Sequence, residues 1–321
     1  MKGKLTYLPH VKKEALKRME EVESLLHHRR FSEALRQMEW LEEVRVPEIL
    51  SSLIKGKVQA LYQLERWHEL ESYCDEVRKD ASFSQKSFLI LAYGASLFYQ
   101  ERYVEVLDFI ESLDEASLTS EEMKEIHLWY ETSRKEVEEQ ADKVLTQFEK
   151  AVFLGNEEAQ WQWFHQWKRL GQSPPDVFLD ILLESSVNPF VKTMILESLQ
   201  EANINKEVWV KKFSKKDKVN LKEMKGPEEV PIYLATLDLL QNLEQQNPTL
   251  YAFSVELLQR YIAYIYPFVD EVGKPSLLSE AVVFVAEEHL TESAKELTNT
   301  LEEKVKEIIK SNEAYFKLFL N

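Results

Sequence analysis

Arg30-Phe31-Ser32-Glu33-Ala34, Arg66-Trp67-His68-Glu69-Leu70 and Arg102-Tyr103-Val104-Glu105-Val106 are three versions of one five-residue stretch. Each sets a basic residue, an aromatic, a free position, a glutamate and an apolar residue in that order, and the step between copies is 36 residues both times. A fixed period of this length marks a helical repeat, in which one supersecondary unit cannot bury its apolar face alone and stacks on its neighbours.

The register extends beyond the five residues. Val22, Val58 and Gly94 superpose, as do Leu25, Leu61 and Leu97; downstream, Met38, Cys74 and Ile110 share a column, and so do Leu41, Val77 and Leu113. Spacings of three and four within two segments are helical periodicity. Each unit is therefore expected to be a helical hairpin: 11–28 with 31–44, 47–65 with 67–79, and 84–100 with 103–113. Pro47 suits the first turn of its helix.

Composition agrees with long helices and few turns. Seven glycines in 321 residues are well below the ~7% of an average chain, and they are scattered. A phosphate-cradling loop needs two or three glycines close together, so dinucleotide and P-loop signatures are excluded. The formal net charge of −16 opposes DNA binding and non-specific nucleic-acid binding, which run on phosphate neutralisation. No stretch of 18 consecutive apolar residues is present, so no membrane span is expected, and the N-terminus lacks the apolar core of a leader. The one cysteine, Cys74, cannot form an internal disulfide, which points to a reducing cytoplasm.

The repeat pattern resembles the tetratricopeptide repeat (TPR). In that family an aromatic opens the second helix, and small residues mark the helix crossing. Phe31, Trp67 and Tyr103 match the aromatic, and Ala34 and Gly94 match small positions; Leu70 and Val106 depart from the expected Ala, and the period is two residues longer than the usual 34. The resemblance covers roughly residues 11–118. It implies a concave surface lined by the first helix of each unit: Met19, Glu23 and Leu26, then Lys55, Gln59 and Tyr62, then Phe88, Leu91, Ala95, Phe98 and Tyr99. Such a groove accepts a protein or peptide partner as an amphipathic helix or extended segment. Met19, Glu23, Leu91 and Ala95 do not supply the Lys/Asn clamp that captures chaperone C-terminal carboxylates in this family.

No fourth copy of the motif occurs near Glu138. Thr119-Ser120-Glu121-Glu122 opens with a capping-type signal and begins a run to Leu154 without Pro or Gly. It reads as one long helix, or two with a kink, which caps the repeats and fills part of the third unit's groove or leaves it open. From Gly155 the texture changes to helices at 156–170, 174–186, 188–202, 231–246, 248–266, 276–290 and 292–319. Between them, Glu207–Phe213 alternates with period two, followed by a loop at 214–217 and a second strand at 218–221. That is a β-hairpin candidate. Asn188-Pro189-Phe190-Val191-Lys192-Thr193 and Gln246-Asn247-Pro248-Thr249-Leu250-Tyr251 resemble the C-terminal part of cytoplasmic TPR proteins of low-GC Gram-positive bacteria. In these a HEAT-like helical region with a short basic hairpin follows the repeats.

The expected fold is thus all-α. A TPR-like helical-hairpin solenoid (1–118) is followed by a connecting and capping helix (119–155) and a HEAT-like domain (156–321) with one small β-hairpin near 207–222. Residues 206–225 carry eight lysines against three acids. This basic finger, with Lys211, Lys212, Lys215, Lys216 and Lys218, is expected to dock RNA, a ribosome or another anionic partner, to lie on the protein's own glutamates, or simply to block strand addition at an exposed edge. His127 and Glu131 share a helix face but do not close a zinc site; no nucleophile elbow is present, and Cys74 reads as a packed core thiol. No enzyme activity and no cofactor are expected. Trp161-Gln162-Trp163-Phe164-His165-Gln166-Trp167 either packs at a junction or presents a sticky patch. The apolar tail around Tyr315, Phe316, Leu318, Phe319 and Leu320 seals the end of the chain or supports self-association. The function expected is a non-enzymatic interaction scaffold, with an RNA- or ribosome-associated factor as the alternative.

Overall fold

The computed structural model describes residues 9–44, 46–79, 87–114, 118–291 and 299–319. Among them the chain is helical apart from one two-stranded antiparallel sheet, and no helix is long and apolar enough to cross a membrane. Contacts divide it into two compact units, Met1–Glu139 and Gln140–Asn321.

In the first unit, α1 (Pro9–His27) pairs with α2 (Phe31–Val44), α3 (Leu50–Gln63) with α4 (Trp67–Arg78), and α5 (Ser87–Tyr99) with α6 (Tyr103–Glu111). Pro47 opens a 3-10 turn that leads into α3. The three pairs are joined by one repeated turn. Arg29, Glu65 and Glu101, themselves 36 residues apart, have φ of 58°, 54° and 57°. The next amide reaches back to a carbonyl five residues earlier: Arg30 N–H to Leu25, Arg66 N–H to Leu61, Arg102 N–H to Leu97, at 2.9, 3.0 and 3.2 Å. This is the left-handed helix stop with its six-to-one hydrogen bond, here made by residues other than glycine.

The motif then divides its labour. In every copy the arginine side chain forks onto the glutamate three residues on: Arg30 onto Glu33, Arg66 onto Glu69, Arg102 onto Glu105. Arg102 also bonds Glu71 at 2.6 Å, tying the third hairpin to the second. Such exposed pairs are screened by solvent and stabilise little. The last position, Ala34, Leu70 or Val106, is 0% exposed in all three copies, and full burial of a large apolar side chain contributes about 1.5–3 kcal/mol. Packing therefore outweighs the ion pairs, and the arginine–glutamate fork serves to orient the turn.

Glycine marks the tightest crossings. A Cβ at Gly56 would meet Leu26 Cδ1 and Met38 Cε at 3.0 Å, and one at Gly94 would meet Trp129 Cζ3 at 2.8 Å and Phe109 Cε1 at 3.0 Å. Trp129 belongs to α7 (Ser120–Phe153), which opens on the expected capping box: Thr119 N–H donates to Glu122 at 2.7 Å, and Glu122 N–H to Thr119 Oγ1 at 3.3 Å. Ile54, Ile90 and Ile126, at the same 36-residue step, are all buried. The first part of α7 is thus the first helix of a fourth unit, and it stays helical where a turn would follow.

The second unit holds α8 (Glu157–Arg169), α9 (Val177–Ile181), α10 (Pro189–Glu201), β1 (Glu207–Lys212), β2 (Lys215–Asn220), α11 (Pro231–Gln246), α12 (Pro248–Ile265), α13 (Pro275–Thr291) and α14 (Asn299–Phe316). Asn156, Asn188 and Asn247 cap α8, α10 and α12 through their side-chain oxygens. One apolar core runs through these elements. The tryptophan-rich α8 is packed into it: Phe164 meets Phe148 at 6.0 Å, and Trp167 lies 4.7 Å from Phe178. In the tail, Leu318 is buried beside Phe190 and Tyr264, and Phe319 meets Trp161 at 5.2 Å. Leu320, and part of the helix expected over 292–319, lie outside the described residues.

Two expectations are corrected here. The helix expected over 174–186 is only the short α9, because the Leu182 carbonyl that ends it accepts from Lys211 N–H of β1 and from Lys192 Nζ, both at 3.0 Å. The hairpin turn is not 214–217 but the two residues Phe213-Ser214, so that Lys212 pairs with Lys215 and Val210 with Asp217. Phe213 takes a left-handed φ of 54°, which closes the strands two residues earlier than the sequence pattern indicates.

Two predictions follow from this packing. Gly94→Ala gains helix propensity of roughly 1 kcal/mol but drives a methyl into Trp129, and overpacking costs about 1–3 kcal/mol; chemical denaturation is expected to show a net loss, and a stabilised variant would refute the close crossing. Burial pushes the Cys74 thiol up to about 12, so at pH 8 only about one molecule in ten thousand carries the thiolate. Alkylation by iodoacetamide is expected only after unfolding, and rapid labelling of the native chain would contradict the packed-thiol assignment.

Candidate functional site

The first-helix face of the repeats is built by side chains from α3 and α5. Lys55 and Gln59 are exposed on α3, and Tyr62 is half-buried one turn further on. The fold brings them beside α5: Lys55 Nζ lies 5.7 Å from the Phe88 ring, and Tyr62 meets Tyr99 edge-on at 6.4 Å. Burial, then the hydrogen bond with Tyr99, push the Tyr62 phenol up to about 12, so the Tyr62 hydroxyl is a neutral donor and acceptor at physiological pH. Tyr99, 49% exposed, stacks on Trp67 at 4.5 Å with the planes 17° apart. The motif aromatic of the second hairpin thus supports the outermost ring of this patch, a role that its alignment with Phe31 and Tyr103 does not reveal.

Leu91 and Phe98 go elsewhere. Both pack into the cluster containing Ile126 and Trp129 of α7, with Phe98 stacked on Trp129 at 6.1 Å. The third hairpin's groove is therefore partly filled by the chain's own helix. What remains open is the row formed by Lys55, Gln59, Tyr62, Phe88 and Tyr99.

The basic hairpin is a second candidate, and one of its five lysines is misplaced by sequence reasoning. Lys212 is 2% exposed. It shares the inward face of β1 with Val208 and Val210, and the period-two alternation of the strand contains that signal. Its ammonium donates to Thr193 Oγ1 at 2.7 Å and to the carbonyls of Tyr264 and Ala263 at 3.1 and 3.3 Å. The two carbonyls lie in the last turn of α12, where the helix dipole favours a cation. Lys192, also 2% exposed, donates to the carbonyls of Leu182 and Lys211 at 3.0 and 2.5 Å. Burial, then the charge on Lys211, lower its ammonium to about 8, and burial drives Lys212 down as well. Sequence reasoning does not single out Lys192; a lysine among the apolar stripe Phe190, Val191, Ile195 and Leu196 is the available signal.

The outward face carries less free charge than eight lysines imply. Lys218 pairs with Glu207 at 3.0 Å and Lys206 with Asp176 at 3.9 Å. Lys216 and Lys218 lie 5.3 and 5.5 Å from the ring of Trp209, which is 47% exposed. Lys215 sits 4.8 Å from the Phe268 ring, and Lys211 is half-buried.

The chain is 28% identical over 286 residues, 86% of its own length and 82% of the relative's, to the TPR repeat-containing protein YsoA of Bacillus subtilis (strain 168). No family model and no solved structure matches it. Three hairpins closed by one turn at a 36-residue step agree with this likeness to a TPR repeat-containing protein.

Proposed function

We propose that the chain is a non-enzymatic interaction scaffold that holds a segment of a partner protein on the first-helix face of its repeats. The observation that carries this reading is the open aromatic row. Tyr99 stands half-exposed on Trp67, Tyr62 touches its edge, and Lys55 and Phe88 lie at a second level along the same two helices. Rigid aromatic rings with a polar tip are the residues that dominate protein–protein contacts, and a likeness to a TPR repeat-containing protein supports the same class of work. An RNA- or ribosome-associated role has less behind it, since Lys212 is buried and Lys218 is spent on Glu207.

The test is capture from a native lysate of the source cells by the immobilised full chain, comparing wild type with Tyr99→Ala and with Lys55→Glu. Both side chains are exposed, so neither change disturbs the core. A hot-spot aromatic contributes about 2 kcal/mol or more, roughly a thirtyfold change in affinity, so a specific partner is expected to be lost from both variants. Retention of every captured protein by both variants would overturn the assignment of this face.

A further inference from the structure

The base of the β-hairpin lies in the other unit and outside the surface just described. Two cavities of about 340 Å³ each meet there, and Lys212, Phe213 and Tyr264 wall both of them. The first also holds Lys215, Lys304 and Lys310 against the single acid Glu307. The second holds Lys192 and Lys211 against Glu157. A chain with a net charge of −16 thus collects lysines at one place, and their mutual repulsion and desolvation cost free energy.

The second cavity has donors to spare. An ammonium carries three N–H groups. Lys192 spends two of them on the Leu182 and Lys211 carbonyls. The Lys211 ammonium has no hydrogen bond or ion pair among the described residues, and neither Lys192 nor Lys212 forms an ion pair there. Lys212 places its N–H groups on Thr193, Ala263 and Tyr264, so it has no further bond to give. Glu157 accepts from Asn188 Nδ2 at 2.5 Å, which ties the one lining carboxylate to the cap of α10.

We propose that this second cavity binds a small phosphorylated ligand whose phosphate oxygens accept hydrogen bonds from the Lys192 and Lys211 ammonium groups. Three points of chemistry select this class. The lining cations are lysines, point charges suited to a tetrahedral dianion, and none is an arginine whose fork matches a planar carboxylate. The volume lies at the small-ligand end of binding cavities. Phe213, 48% exposed and tilted over Tyr264 at 4.8 Å, is a bulky residue held at a left-handed φ of 54°. The ring offers a flat apolar wall to the part of the ligand beyond its phosphate. The depressed basicity of Lys192 has the same origin, since a bound dianion supplies the counter-charge that burial withholds.

Isothermal titration of the full chain with ADP, with inorganic phosphate and with a single-stranded oligoribonucleotide tests the proposal. Saturable one-to-one binding of ADP, competed by phosphate, is expected. Lys211→Gln, at a half-buried position that leaves the core intact, is expected to weaken ADP binding about tenfold or more, while Lys222→Gln leaves it unchanged. Lys192→Met is expected to abolish binding, with circular dichroism confirming that it folds; should it not fold, Lys211→Gln decides. Absence of saturable binding of both ADP and phosphate in the millimolar range overturns the proposal. So does ADP binding that Lys211→Gln does not weaken, and so does binding of the oligoribonucleotide alone, which would assign the lysines to an extended nucleic-acid surface.

Discussion

The first unit depends on a turn that stops a helix without glycine. Arg29, Glu65 and Glu101 each accept the left-handed conformation, which costs an ordinary L-residue about 1–2 kcal/mol. The return hydrogen bond from Arg30, Arg66 or Arg102 offsets part of that. The rest comes from what the turn delivers, a second helix that starts with its aromatic at the rim and its fourth residue fully buried as Ala34, Leu70 or Val106. The arginine of the motif donates its amide to the turn and its guanidinium to the glutamate three residues on. Backbone and side chain of one residue thus fix both the stop of one helix and the first turn of the next.

That constraint explains why the array was legible in the sequence. A turn that must recur with the same geometry imposes its residues at a constant step, and the columns through Met38 and Cys74, or Leu61 and Leu97, follow from it. The fourth unit was half-hidden for the same reason. Its first helix keeps the step in Ile126, but no arginine–aromatic pair marks a turn, so the pattern stops while the packing continues through Ile126 and Trp129. Gly94 serves both contacts at once: a Cβ there would meet Phe109 of its own hairpin as well as Trp129 of α7.

The candidate sites were less legible, because exposure along a face depends on what neighbouring elements cover. The resemblance to the tetratricopeptide repeat implied one groove lined by Lys55, Gln59, Tyr62, Phe98 and Tyr99. It could not separate Tyr99 from Phe98, adjacent in sequence, one stacked on Trp67 at the surface and the other on Trp129. In the hairpin, counting charge concealed the strand's own alternation. Val208, Val210 and Lys212 form a single inward row, so the charge that appears to belong to a solvent-facing finger is partly inside the protein.

A lysine in that row is an expensive choice. Replacing a buried ion by an apolar residue of similar volume is often neutral or stabilising, and Met would fit a strand face that otherwise carries Val208 and Val210. Lys212 nevertheless joins three separate elements: it draws Thr193 of α10 and the end carbonyls of α12 onto β1, while Lys192 reaches from α10 to the end of α9 and to β1. The two lysines cross-link the hairpin to the helices through groups that an apolar core would leave unpaired, since the carbonyls at the ends of α9 and α12 need donors wherever water is excluded. Fold geometry alone therefore accounts for their hydrogen bonds, but not for the third N–H of Lys192 or for the Lys211 ammonium beside it. That surplus of donors is what distinguishes a structural lysine bridge from a binding cavity.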